Sequence, residues 1–290
     1  GSAIAMVYMF VSARLYRYID FKPNRGLRTE MYLYSFPLIF SVVAWWVNSA
    51  SDRYILSWIC GVGVSGVYAV AYKIPSILSM FGNVFSQAWS ISAIKEFDPD
   101  DSDGFFGGTF GLMSFAMSLA CSAVMIFDIP LAWFLYANDF FEAWRFVPPL
   151  LMSVVFDVLC QFIGGIFTAT KDTKTLSFTT ISGALVNVVL NFALIPIFGA
   201  MGAAMATMLG YGGVLVARII ALRKHIQMRV SWRKVGFTYA LLFIQLVVSE
   251  FGVKLIPLQV VLIACMIYAN RHEFGKVLAT AKNVIPGIGQ

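Results

Sequence analysis

Residues 32–59, YLYSFPLIFSVVAWWVNSASDRYILSWI, form an apolar run that is longer than the roughly 20 residues an α-helix needs to cross a membrane. Within this run Ser41, Trp45, Asn48 and Asp52 recur at helical spacing and therefore share one helical face. A polar stripe of this kind does not face lipid. The run predicts a membrane helix that turns a polar face towards other helices or a water-filled cavity.

The composition extends this prediction to the whole chain. The 290 residues are 59% hydrophobic and only 12% charged, with a mean hydropathy of +0.79. In soluble domains about a quarter of the residues are charged, so this composition excludes a soluble enzyme. The net charge of +6 falls in short segments between apolar runs, which indicates a role in membrane topology and argues against nucleic acid as a partner.

Eight apolar runs of about spanning length predict an all-α, polytopic membrane helical bundle. A shorter run, Ala3–Ala13, precedes them, and we interpret it as the end of a truncated membrane helix. The last two runs are the shortest of the eight. The predicted helices are Tyr32–Ile59, Val64–Ala93, Phe106–Phe127, Val147–Ala169, Leu176–Phe198, Ala200–Leu222, Val235–Phe251 and Ile256–Ala269.

The basic residues predict the orientation of these helices. If the helices alternate in direction, 17 of the 21 Lys and Arg residues lie on the same side as Arg14. That group includes Arg218, at the end of the sixth helix, and only Arg145 and Lys254 lie on the opposite side. Because positively charged loops stay in the cytoplasm, the side of Arg14 is predicted to be cytoplasmic.

The connecting segments offer little chemistry. The longest outer connection, Asp128 to Phe146, is too short for a catalytic domain, and we interpret the acidic inner segment Glu96–Asp103 as a solvated loop. His225 and His272 are interpreted as solvated loop residues. The sequence contains no GxSxG, P-loop, HExxH or DxD motif and no paired cysteine spacing, so we expect no enzyme, cofactor, disulfide or metal site.

Charged residues inside the first two helices are candidates for function. Arg53 and Lys73 each lie about 12 Å inward from the turn that joins these helices, next to Asp52 on the first. We expect one neutralising pair and one free cation, which would bind an anionic ligand with sugar-like hydroxyls. A pair that only joins the two helices is the alternative. Polar side chains at helical spacing accompany Lys73 on the second helix: Tyr72, Ser76, Ser79, Asn83, Gln87 and Ser90.

Four polar residues are expected near the middle of the membrane on the fourth and fifth helices. Asp157 and Gln161 are four residues apart on one helix, and Asn187 and Asn191 repeat that spacing on the next. The amides are typical of hydrogen bonds that hold membrane helices together. Asp157 is a candidate for proton or sodium coupling, with a structural hydrogen bond as the alternative.

Helix shape is predicted from proline and small residues. Kinks are expected at Pro75, Pro130, Pro149 and Pro196. The run from Gly199 to Gly210 places small residues on one face and predicts close helix packing.

Three stretches resemble the polysaccharide flippase family, the O-antigen (Wzx-type) branch of the superfamily that also contains MATE multidrug exporters and lipid II flippases. The first combines SFPLI at 35–39 with WVNSASDRYIL at 46–56, and the second is GVSGVYAVAYKI at 63–74. The third runs from TATKDTKT at 168–175 through Asn187 and Asn191 to IPIFGAMGAAMAT at 195–207. Together they extend over six helices, from about Tyr32 to Leu222.

This resemblance implies a division of the chain. Residues 32–222 would be the six-helix C-terminal lobe of a two-lobe transporter, and residues 15–31 would be the cytoplasmic linker between the lobes. Residues 1–14 would end the last helix of the missing N-terminal lobe, and residues 223–290 would form an additional helix pair and a cytoplasmic tail.

The resemblance also implies a function and partners. The family moves polyprenyl-pyrophosphate-linked oligosaccharide, such as the O-antigen of lipopolysaccharide, across the bacterial cytoplasmic (inner) membrane by alternating access, driven by an ion gradient. Implied partners are the lipid bilayer, the lipid-linked oligosaccharide, the N-terminal lobe and polysaccharide assembly proteins. Arg53 and Lys73 match cationic positions of the family that would bind the diphosphate. The implied substrate-binding residues are Trp45, Asn48, Asp52, Arg53, Tyr72, Lys73, Asn83 and Gln87.

Two other functions remain open from the sequence. A MATE-like, cation-coupled drug exporter would share the architecture, although such exporters bind cations through membrane carboxylates and the deep charges here are balanced or positive. A membrane enzyme of the O-antigen polymerase or ligase type would need a large outer loop with a catalytic Arg or His. The segment from Asp128 to Phe146 contains Arg145 and no His.

Overall fold

The computed structural model describes residues 2–14, 16, 25–136 and 138–284, and the regular elements in these ranges are helices. This confirms the all-α class. Short 3-10 segments at Asn138–Phe146 and Gly252–Leu255 join some of the helices. The α-helices are α1 (Ser2–Ser12), α2 (Arg25–Cys60), α3 (Val62–Ala71), α4 (Lys73–Lys95), α5 (Phe105–Ile126), α6 (Asp128–Leu135), α7 (Val147–Ala169), α8 (Thr173–Phe198), α9 (Ala200–Leu222), α10 (Trp232–Ser249), α11 (Ile256–Ala269) and α12 (Arg271–Val284).

The chain divides into two units, residues 1–36 and 37–290. In the first unit, apolar side chains of α1 such as Ile4 and Val7 are exposed, as suits a helix surrounded by lipid. The helix α2 begins at Arg25, inside the segment predicted to be the inter-lobe linker. Residues 25–30 read RGLRTE and contain good helix formers, so the helix continues beyond the apolar run that defined the prediction.

In the second unit, α7 is the central helix and packs against α4, α5, α8 and α9. In an apolar stretch of 18 residues within Phe140–Ala169, which contains α7, 89% of the residues are buried. In the corresponding stretch of α2 only 6% are buried. It begins and ends at the predicted residues. Pro148 and Pro149 are compatible with this start, because they lie in the first turn, where their missing N–H groups remove no helical hydrogen bond. The small-residue packing predicted for α9 is confirmed at Gly202, where a Cβ would collide with the backbone carbonyl of Leu194.

The helix predicted over residues 64–93 is broken at Tyr72, where α3 and α4 meet at an angle of 45°. Pro75 follows the break and has no N–H to donate to the carbonyl of Ala71, one turn earlier. The hydroxyl of Tyr136 donates to that carbonyl instead, at 3.3 Å. The kink expected at Pro75 is therefore confirmed. The other three prolines singled out from the sequence lie within unbroken helices: Pro130, Pro149 and Pro196.

Five helices of the described ranges are long and apolar enough to cross a membrane, or six if the bent pair of α3 and α4 counts as one span. This supports a multi-pass membrane protein but not the eight spans predicted. The difference lies in α10, which is not among these candidates, and in α11, which has only 14 residues. Both pack against α5, where Ser122 and the side chain of Gln245 exchange hydrogen bonds of 2.6 and 2.9 Å.

Candidate functional site

A cavity of about 500 Å³ lies among α2, α4, α7, α8 and α9. Sites for small ligands commonly have volumes of roughly 300 to 1,000 Å³ and combine apolar walls with a few polar groups. This cavity has that character, because polar side chains project into a mainly apolar lining. Its polar lining residues, with Trp45, are Ser41, Asn48, Ser86, Ser90, Asp157, Gln161, Thr168, Thr180, Tyr211 and Arg218.

The stripe predicted on α2 faces this cavity. Ser41, Trp45 and Asn48 all line it, as expected for one helical face. Of the polar side chains that were predicted to share a face of α4, Ser90 lines the cavity, whereas Asn83 and Gln87 are exposed outside it. Ser86 also lines the cavity, and α4 packs on α7.

Asp52 is buried, with 1% of its surface exposed, and accepts three side-chain hydrogen bonds. The donors are the Tyr68 hydroxyl at 3.3 Å, Asn191 Nδ2 at 2.6 Å and the Thr207 hydroxyl at 2.5 Å. Asn191 Nδ2 also donates to Oδ1 of Asn187 at 3.0 Å. We call these five residues the Asp52 cluster. It joins α2, α3, α8 and α9, so the expected interhelical hydrogen bonds of Asn187 and Asn191 are present.

The ion pair expected of Asp52 with Arg53 or Lys73 is not formed, because residues adjacent on a helix point about 100° apart. While Asp52 points inward, Arg53 and Lys73 are exposed. The guanidinium carbon of Arg53 lies 5.4 Å from the ring centroid of Tyr72. Arg53, Tyr72 and Lys73 thus form an exposed cationic group, which we call the bend cluster, where α3 meets α4.

The Asp52 cluster has the composition of a site for a single hard cation or a proton. The carboxylate, the amide oxygens of Asn187 and Asn191 and the Thr207 hydroxyl are all oxygen ligands, which such cations prefer. Oδ1 of Asn191 is buried and has no hydrogen-bond partner. Across the ranges the structure describes, no three His, Cys, Asp or Glu side chains come together in a way that could hold a metal ion.

Arg218 was counted among the basic residues of the cytoplasmic side and was not predicted to be a site residue. It lies inside α9, is 6% exposed and lines the cavity. Its Nη1 donates to the Cys160 carbonyl at 2.5 Å, Nε to the Thr179 hydroxyl at 3.1 Å and Nη2 to the Thr180 hydroxyl at 2.8 Å. The signal that could have found it is its position inside the predicted helix 200–222, because a charge within a membrane helix is a candidate for function.

Asp157 also lines the cavity, on α7. Gln161 Nε2 donates to its Oδ2 at 2.9 Å, as their spacing of four residues predicts. Asp157 and Arg218 interact electrostatically without forming an ion pair at contact distance. The cavity therefore contains one acidic and one basic side chain, each held in place by neutral hydrogen-bond partners.

Two residues interpreted as solvated are structural. Asp101, in the acidic loop, is 1% exposed because it accepts backbone N–H bonds of 2.9 Å from both Phe106 and Gly107, at the start of α5. His225 is half-buried, with Nε2 2.8 Å from Oδ2 of Asp172, the residue that caps α8. Partial burial raises the pKa of Asp172, but hydrogen bonds from Thr175 and His225 outweigh it, and its pKa lies below the ordinary value.

Comparisons with known proteins define the class of this fold. Among solved structures, the lipid II flippase MurJ in an inward closed conformation is similar, with a TM-score of 0.58 and 14% sequence identity. The likeness covers 95% of this chain and 61% of that one, so the chain spans less than two thirds of that flippase. The chain is thus a multi-pass helical membrane protein with a MurJ-like fold.

A family model matches the N-terminal part of the sequence. Residues 1–91 match the model of a family described as "Polysaccharide biosynthesis protein". This match confirms the family resemblance over the first third of the chain and includes the first two of the three stretches that carry it. No curated protein sequence matches the chain.

Proposed function

We propose that this chain is one lobe of a transporter that moves a polyprenyl-pyrophosphate-linked oligosaccharide, such as an O-antigen or capsule repeat unit, across a bacterial inner membrane. The observation that carries this proposal is the cavity, which combines a buried cation, aromatic rings and amides within a flippase fold. Aromatic faces such as Trp45 and amides such as Asn48 and Gln161 suit sugar rings and their hydroxyls, and Arg218 suits phosphate.

The bend cluster is a second place for substrate in this proposal. Arg53 and Lys73 are exposed and have no carboxylate partner at contact distance among the side chains that the structure describes, so their charge can attract a diphosphate. Asn83 and Gln87 are exposed further along the same α4 helix and could contact the glycan. In a two-lobe transporter, these groups would contribute to the space between this lobe and an N-terminal lobe.

The Asp52 cluster is the proposed site of ion coupling. The Asp52 carboxylate is 1% exposed and has no cationic partner at contact distance in the described part of the chain, so it attracts a small cation or a proton strongly. The cluster joins four helices, so occupancy of the site would favour one arrangement of these helices over another. Asp157, the coupling candidate from the sequence, is the alternative and lies in the cavity itself.

Native mass spectrometry of the full-length protein, purified in mild detergent, tests this function. We expect a co-purified polyprenyl-diphosphate species on the wild-type protein and less of it on the Arg53→Ala/Lys73→Ala double variant. The control is Arg145→Ala/Lys254→Ala, which removes the same charge from exposed positions outside the bend cluster. A bound organic cation in place of the lipid would contradict the proposal in favour of a drug exporter.

A further inference from the structure

We propose that Arg218 is an anion-binding residue of the cavity that takes a phosphate or diphosphate group, and that Asp157 is the opposing charge that limits this binding. That this phosphate group belongs to a lipid headgroup is the only part that rests on the function proposed above. The anion chemistry itself rests on the geometry of the cavity.

The guanidinium of Arg218 is oriented but not neutralised. Arginine has five N–H donors, and three of these are used here, by the Cys160 carbonyl and by the hydroxyls of Thr179 and Thr180. All three acceptors are neutral, and no carboxylate of the described residues lies within contact distance of the guanidinium. Two N–H donors and the full positive charge therefore remain available to a ligand.

The surroundings leave room for an anion to reach these donors. Arg218 lines the cavity together with Gly164, Thr168 and Thr180. A Cβ added at Gly164 would lie 3.4 Å from Nη1 of Arg218, so a larger side chain at residue 164 would cover the guanidinium. Planar guanidinium groups bind phosphate oxygens through two parallel N–H bonds.

Asp157 opposes the anion without occupying its place. Its carboxylate is held by Gln161 at 2.9 Å on α7, and it interacts electrostatically with Arg218 from beyond contact distance. In the low dielectric of a membrane protein this interaction is stronger than in water. A phosphate anion bound to Arg218 would be repelled by Asp157, so removal of the Asp157 charge should strengthen anion binding.

The position of Arg218 indicates where the anion would enter. Arg218 lies about one turn from the end of α9 at Leu222, which the positive-inside rule places at the cytoplasmic side. The bend cluster lies towards the opposite side of the lobe, about 12 Å inward from the turn at Gly61. In the proposed transporter, the cavity would bind the phosphate first and the bend cluster later.

Isothermal titration calorimetry of the full-length protein in lipid nanodiscs tests the assignment. The probes are inorganic pyrophosphate and, separately, polyprenyl diphosphate. We expect Arg218→Gln to weaken pyrophosphate binding roughly tenfold or more, Arg218→Lys to weaken it less, and Asp157→Asn to strengthen it several-fold. The matched control is Arg223→Gln, an exposed cation just beyond α9 that should leave the affinity unchanged.

The variants change affinity in opposite directions, so a folding defect cannot imitate the expected result. Unchanged affinity in both Arg218→Gln and Asp157→Asn would overturn the assignment, as would equal weakening in both, which would indicate a structural charge pair. Pyrophosphate binding that requires Arg218 without any binding of polyprenyl diphosphate would support the site with a soluble phosphate ligand. It would at the same time contradict the lipid substrate of the proposed function.

Discussion

The Asp52 cluster and the cavity beside Arg218 solve the same problem in different ways. Each keeps one charge within the helices, and each surrounds it with neutral hydrogen-bond partners rather than an opposite charge in contact. The Asp52 cluster is closed, whereas Arg218 borders a cavity of about 500 Å³ and retains free donors. Neutral partners fix the direction of a charge without cancelling it, so each charge can still attract a ligand. Because the first site is closed and the second is open, the first suits a small ion and the second suits a large ligand.

The largest effect is expected from removal of the carboxylate in the closed site. Asp52→Ala would leave Asn191 Nδ2 and the Thr207 hydroxyl without their shortest hydrogen bonds and should lower the free energy of unfolding by about 2–4 kcal/mol. Asp52→Asn keeps the shape of the side chain and should be much less destabilising, but it should abolish the dependence of transport on the ion gradient. Thermal unfolding in detergent and transport into vesicles, with and without a gradient, measure the two effects.

If transport by Asp52→Asn still depended on the ion gradient, the closed site would not be the coupling site. Asp157 would then be the coupling residue. Asp157→Asn is the matched variant for this comparison, because its carboxylate lies in the open cavity and its hydrogen bond to Gln161 lies within one helix.

A smaller loss of stability is expected in the open site. Arg218→Ala would remove three hydrogen bonds that join α9 to α7 and α8, and should lower the free energy of unfolding by about 2 kcal/mol. The exposed cations of the bend cluster provide the contrast, since Arg53→Ala/Lys73→Ala should change the free energy of unfolding by no more than about 0.5 kcal/mol. Equal losses of stability would mean that Arg218 is not anchored as described.

A still smaller loss of stability is expected at the α3–α4 bend, which lies between the two sites. The α3–α4 bend separates Tyr68, in the Asp52 cluster, from Ser86 and Ser90, in the cavity. Tyr136→Phe removes the hydroxyl that donates to the Ala71 carbonyl at this bend, and should cost about 1 kcal/mol of stability. Pro75→Ala is the informative partner, because it restores an N–H for that carbonyl and should make the hydroxyl of Tyr136 dispensable.

The sequence predicts helix limits better than it predicts helix faces. The limits of α7, α9 and α11 agree with the predicted ones, because proline, glycine and charge changes mark where apolar runs begin and end. The rotation of α4 is set by its packing on α7, which a single sequence does not contain, so the sequence did not show that Ser86 and Ser90 line the cavity while Asn83 and Gln87 are exposed outside it.

The candidate site shows the same limit. The stripe of Ser41, Trp45 and Asn48 was found because it lies within one helix. The hydrogen bonds of Asp52 to Tyr68 and Thr207 were not found, because they join residues 16 and 155 positions apart. Such contacts follow from the arrangement of helices, and periodicity within one helix carries no information about them.

The smallest effect is expected outside the membrane, where Asp172 caps α8 and contacts His225, three residues beyond the end of α9. Burial alone would raise the pKa of Asp172, but the hydrogen bonds from Thr175 and His225 dominate and lower it. A carboxylate with a lowered pKa in the folded state stabilises the fold above its unfolded pKa of about 3.9, and this contribution disappears as the pH falls through the folded pKa.

Asp172→Asn should keep the cap of α8, because asparagine also caps helices well, and lose the charged contact with His225. Solvent screens this contact, so the loss at pH 7 should be about 0.5 kcal/mol. Thermal unfolding of wild type and variant should differ slightly at pH 7 and converge as the pH falls through the folded-state pKa of Asp172, which lies below its ordinary value. A difference that persists at the lowest pH at which the wild type still folds would mean that Asp172 acts through hydrogen bonds that do not need its charge. The ends of α8 and α9, which hold Thr179, Thr180 and Arg218, would then be fixed independently of pH.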